Sequence, residues 1–127
     1  MRYLSVSDVL FLHRLAVDLS PSDEPIFDFG LLESAVMRPQ QTVGGSDAYI
    51  DIHHKAAALM HSLCRNHPFA DGNKRTALVC VGTFYEINGY RFSAEEIDMV
   101  GLTVDVAEGL LDVATIAGVL KNWNHPA

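Results

Sequence analysis

Apolar positions recur at helical spacing along most of the chain. Val6, Val9, Leu10, His13, Ala16 and Val17 line one side of a first helix that either Ser5 or Ser7 can cap. Ser20 to Pro25, with two prolines among Ser, Asp and Glu, reads as loop. A short second helix is predicted from near Asp28, a good cap, to Met37, because Pro39 disfavours continuation. Gln40 to Asp47, with Gly44 and Gly45, reads as a flexible connection or a small hairpin.

From Ala48 to Arg65, Tyr49, Ile52, Ala56, Leu59, Met60 and Leu63 mark one face of a long helix, and Asp51, Lys55, Ser62 and Arg65 mark the other. That helix stops before Pro68. Thr76 to Ile87 is apolar on nearly every side, which places a helix at the centre of the domain, and Asn88 and Gly89 end it. Ser93 and Glu96 form a capping-box pattern that opens a helix through Ala107, and Gly109 breaks it. Asp112 caps a last helix through Trp123, with Ile116, Val119 and Leu120 buried. No series of alternating strands competes. The expected fold is all-α, a compact bundle of about six helices around a buried central helix, forming a single domain over 1–127.

Composition agrees with one globular unit: 49% of residues are apolar and only 20% charged. A net charge of −7 argues against broad binding to nucleic acid or to anionic membranes, which relies on surface Lys and Arg. The apolar stretch after Met1 is interrupted by Asp8, His13, Arg14 and Asp18, so it does not read as a secretory signal, and no apolar run approaches the length of a membrane span. A cytoplasmic location is expected. Cys64 and Cys80 are too few for a disulfide scaffold and read as reduced core residues.

One segment departs from ordinary helix chemistry: His67-Pro68-Phe69-Ala70-Asp71-Gly72-Asn73-Lys74-Arg75-Thr76. Asp71 is a plausible cap, yet the first turn then carries Lys74 and Arg75. Cations there are disfavoured by about 0.3 to 1 kcal/mol each, because the free amides already present partial positive charge. A bound anion reverses this. Free amides, Asn73, Lys74 and Arg75 can converge on phosphate oxygens, Gly72 permits close backbone approach, and Asp71 can supply a hard oxygen to Mg²⁺. His67 offers an imidazole, whose ordinary pKa near 6.5 suits a general base toward a hydroxyl.

Spacing alone leaves a plainer assignment open, with Asp71 as a simple cap, His67 as a loop hydrogen-bonder and Lys74 and Arg75 solvated. A P-loop does not fit, since His67 stands where its first Gly belongs and Arg75 follows Lys74. His61, Cys64 and His67 are spaced by threes, but no fourth zinc ligand is evident nearby. His53 and His54 read as helix-edge residues, His125 as part of a frayed tail, and His13 as a core histidine.

The segment resembles the signature of the Fic/Doc family, His-x-Phe-x-(Asp/Glu)-(Gly/Ala)-Asn-(Gly/Lys)-Arg between two helices: His67, Phe69, Asp71, Gly72, Asn73, Lys74 and Arg75 all match. Gly30-Leu31-Leu32-Glu33-Ser34-Ala35 with Arg38-Pro39-Gln40 resembles the death-on-curing branch, and the likeness extends through the closing helices. It implies that His67 deprotonates a target hydroxyl, that Asp71 holds Mg²⁺, that Gly72, Asn73, Lys74 and Arg75 bind the phosphates, and that Arg75 also serves catalysis. Lys74 replaces the second Gly of the adenylylating branch, and Leu78 stands where that branch has a further Arg. Both resemble Doc, implying a protein kinase that moves the γ-phosphate of ATP, with adenylyl transfer as the alternative and a catalytically silent interaction module as a third. Doc-like proteins are toxins. The implied target is a threonine of elongation factor Tu, so that translation stops, and the implied partner is an antitoxin whose disordered tail folds onto the toxin. The family also uses Gln40 to Asp47 as a flap that aligns target backbone, and the late helices could form a groove for an antitoxin helix.

Overall fold

A computed structural model describes residues 1–17 and 28–127. The loop expected at Ser20 to Pro25 lies outside the described residues. Helix α1 (Val6–Val17) opens with a reciprocal cap, in which the Ser5 amide donates to Asp8 Oδ2 (2.8 Å) and the Asp8 amide to Ser5 Oγ (3.1 Å). Ser5, not Ser7, is therefore the cap. In α2 (Phe29–Met37) the Asp28 side chain accepts from the Leu31 amide at 3.0 Å, and Pro39 then sits in a 3-10 turn over Arg38–Gln40. Strands β1 (Thr42–Val43) and β2 (Ser46–Asp47) pair antiparallel across Gly44 and Gly45. Both glycines have positive φ, 58° and 84°, as a two-residue hairpin turn of this hand requires.

The long helix α3 (Ile52–Asn66) starts four residues later than its periodicity predicts, because the Asp51 side chain accepts from the His54 amide at 2.8 Å and fixes the start there. It is followed by α4 (Asn73–Ile87), β3 (Tyr90–Phe92), α5 (Glu96–Ala107), α6 (Val113–Trp123) and β4 (Asn124–Pro126). Asp112 caps α6 through the Thr115 amide at 2.8 Å. Two expectations for the closing part of the chain fail, the Ser93 cap and the frayed tail. Ser93 does not cap α5: its amide donates to Trp123 O at 2.8 Å, extending an antiparallel pairing of β3 with β4, so the tail around His125 is a strand.

The central helix is α3 rather than the Thr76–Ile87 stretch. It packs on α2, α4, α5 and α6, and Ala56, Ala57 and Ala58 are fully buried, their small side chains letting the neighbours close in. Part of its expected polar face is covered as well, at Lys55 and Ser62, while Asp51 is half-buried and Arg65 stays exposed. Lys55 is 2% exposed, its Nζ donating to Pro39 O (3.3 Å) and Asp47 Oδ2 (3.1 Å) above the Tyr3 ring, while Ser62 Oγ accepts from Arg38 Nη1 (2.9 Å). These partners offset the desolvation that would otherwise keep such groups at the surface, and Lys55 thereby ties the hairpin to the core. On α4, by contrast, Val79 and Thr83 are only half-buried and Glu86 is exposed. Cys64 and Cys80 are buried free thiols whose pKa values burial pushes up to about 12. Among the described residues no helix is long and apolar enough to cross a membrane.

Three histidines make stability acid-sensitive. Burial is the largest cause lowering the pKa values of His13, His53 and His61, and at His61 the Arg38 and Arg65 charges add to it. Below their ordinary value of 6.5 the unfolded chain binds protons that the folded chain refuses, so stability is complete above that pH and declines as pH falls through it. The urea midpoint is expected to be lower at pH 5.5 than at pH 7.5, and an unchanged midpoint would show that these imidazoles titrate alike in both states.

Candidate active site

The site is built where α3 hands over to α4. His67 ends α3 in the left-handed region (φ 49°, ψ 56°), the only non-glycine with positive φ among the described residues, and it is exposed. The chain then turns inward. Phe69 is 2% exposed, and Asn73 closes the loop below it: the Phe69 amide donates to Asn73 Oδ1 and Asn73 Nδ2 donates to Phe69 O, both at 3.0 Å. Much of the Asn73 amide is thus engaged in shaping the loop.

Asp71 is exposed, and its Oδ1 accepts from the Gly72 amide at 2.8 Å. It does not cap α4. Gly72 holds that position in the left-handed conformation (φ 78°), no side chain caps the helix, and the first-turn amides of Asn73, Lys74 and Arg75 have no side-chain acceptor among the described residues. Positive potential from the helix end, Lys74 and Arg75 therefore collects at one place.

Helix α1 supports this loop from beneath. A Cβ added at Gly72 would stand 2.1 Å from Val17 Cγ1, and Arg75 Nη1 donates to Ala16 O at 3.1 Å. His13 is 1% exposed, as expected of a core histidine, and its ring stacks on Phe69 with centroids 3.7 Å apart and planes 8° apart. Its Nε2 lies 2.8 Å from Asp71 O.

Asp71, Gly72, Asn73, Lys74 and Arg75 form one wall of a cleft of about 690 Å³; Leu78 and Val79 continue it, and Glu96, Met99, Val100 and Thr103 of α5 face them. His67 is not among the lining residues. The α5 wall was invisible in the sequence, where a mixed face of Glu, Met, Val and Thr looks like any helix surface. The His61, Cys64 and His67 spacing does not make a site: His61 Nδ1 accepts from Arg38, Cys64 is buried, and His67 is exposed. Among the described residues no group of three His, Cys, Asp or Glu could hold a metal. Asp71, an exposed carboxylate beside a cationic helix end, fits the other mode, in which Mg²⁺ takes one or two carboxylates and the rest of its shell from phosphates and water.

The Fic/DOC family model matches residues 3–85, spanning the supporting helix, the loop and most of α4. The chain belongs to the Fic/Doc family. It is 46% identical over 114 residues to "Toxin Doc" of Mycolicibacterium smegmatis, covering 89% of this chain and 81% of that protein. It is also 30% identical over 122 residues to "Protein kinase doc" of Escherichia phage P1, covering 95% of this chain and 94% of that one. The six α-helices and the short antiparallel strands among the described residues agree with the all-α Fic/Doc fold.

Proposed function

We propose that this Fic/Doc protein is a Doc-like toxin that transfers the γ-phosphate of ATP to a hydroxyl of a protein target. The observation that carries the reading is the uncapped, cationic start of α4 opening onto a cleft, with a histidine and a carboxylate on the same loop. The names of the two relatives support the toxin and kinase parts.

In this reading the amides of the first turn of α4, with Gly72, Asn73, Lys74 and Arg75, hold the phosphate chain, while Leu78 and the α5 wall leave room for the rest of the nucleotide. Asp71 would hold Mg²⁺, which when bound neutralises charge on the phosphates. His67 takes the proton as the target hydroxyl oxygen bonds to the γ-phosphorus; the bond from that phosphorus to the bridging oxygen breaks, and ADP leaves. Catalysis is then positioning and charge stabilisation, with no covalent enzyme intermediate. A threonine of elongation factor Tu is the proposed target, an antitoxin the proposed partner, and the cytoplasm the proposed location.

Lys74 favours the kinase over adenylyl transfer, because a long cationic side chain stands where the other branch lets phosphate approach bare backbone. The test gives purified elongation factor Tu and whole cytosolic extract ATP labelled in the γ-phosphate or in the α-phosphate. Label from the γ position alone is the expected result. Label from the α position would make the protein an adenylyl transferase, and no label from either would leave the interaction module.

A further inference from the structure

We propose that His13 is a positioning residue for this site, setting the direction of the Asp71–Gly72 peptide and, through it, of the Asp71 carboxylate; this rests on the phosphate-site reading above. His13 comes from α1, 58 positions away in the chain, and touches the loop twice: its ring lies flat on Phe69, and its Nε2 reaches Asp71 O at 2.8 Å. A carbonyl can only accept, so Nε2 carries the proton and donates. Nδ1 is buried with no partner among the described residues, which suits an unprotonated nitrogen and a neutral ring.

The consequence passes through one peptide plane. In a trans peptide the C=O and the following N–H point in opposite directions. Holding Asp71 O toward His13 therefore turns the Gly72 amide to the other side, and that amide is the donor that Asp71 Oδ1 accepts at 2.8 Å. A flipped peptide would lose both bonds and aim a carbonyl oxygen where the reading needs phosphate. Gly72 cannot resist such a flip by itself, since a glycine accepts many backbone conformations. Histidine suits both contacts: phenylalanine can stack on Phe69 but has no donor, and glutamine can donate from a similar reach but cannot stack.

The test compares the full chain with His13→Phe and His13→Gln. The kinetic expectation, with ATP, Mg²⁺ and elongation factor Tu, is that His13→Phe lowers kcat by about 10- to 100-fold and raises the Mg²⁺ needed for half-maximal rate, with little change in KM for the protein target, while His13→Gln recovers much of both. A residue that merely filled the core would change the folded fraction and leave these parameters of the folded enzyme intact. The second readout needs no activity: long-range ¹⁵N NMR should find the Nε2–H tautomer at His13, and the Gly72 amide resonance should move in His13→Phe and return toward its place in His13→Gln. An Nδ1–H tautomer, or a Gly72 amide and kcat untouched in His13→Phe, would overturn the proposal. If His13→Phe does not fold, the wild-type tautomer and the His13→Gln kinetics decide. Wild-type protein that transfers nothing defeats the functional reading instead, and the tautomer and amide shifts still judge His13.

Discussion

Replacing His67 with alanine is expected to cut transfer to the protein target by at least about 100-fold, because the hydroxyl then has no base to take its proton. The fold should survive. His67 is exposed and its side chain makes no hydrogen bond among the described residues, so the loss is confined to its left-handed backbone, where every Cβ-bearing residue is disfavoured and alanine lacks the tolerance that histidine and asparagine share. His67→Asn separates the two effects, since asparagine tolerates that conformation and cannot replace the imidazole as a base. Both variants should lose activity alike, while His67→Asn melts closer to wild type. Near-normal turnover in either would remove His67 from the chemistry.

Gly72→Ala is expected to weaken both the fold and the site. The left-handed φ of 78° disfavours any Cβ by about 1–2 kcal/mol, and this one would collide with Val17 Cγ1, so that either the valine must leave its present rotamer or the loop must move. Overpacking of that kind adds about 1–3 kcal/mol, for a total of about 2–5 kcal/mol in urea denaturation, and pushes the loop off α1 so that transfer falls as well. Adding Val17→Ala to Gly72→Ala should restore the packing share and leave the backbone share. If Gly72→Ala alone matches wild type in stability, the contact between α1 and the loop is not as close as described.

The chemistry-bearing segment was legible because its seven matching residues sit within nine positions, and local signals carry well: Asp28 and Asp112 cap the helices they were expected to cap. What failed depended on distant partners. Lys55 and Ser62 read as solvent-facing because the groups that receive them, Pro39, Asp47 and Arg38, lie elsewhere in the chain. Strands of three residues are too short to show alternation, and β3 finds β4 only after two helices intervene. At Ala48 to Asp51 a local signal lost to another: Tyr49 extended the apolar stripe, but the Asp51 cap set the boundary. His13 was legible as core, whereas its reach to Asp71 O belongs to tertiary structure alone.

The burial of both thiols makes the protein a convenient host for spectroscopic probes. Maleimides and similar reagents attack thiolate, and groups whose pKa is about 12 present almost none at neutral pH, behind a barrier of packed side chains besides. A cysteine introduced at Val43, which is 72% exposed on the hairpin, would react while Cys64 and Cys80 stayed silent. A fluorophore there would report whether the hairpin meets a protein target, with both native cysteines left in place.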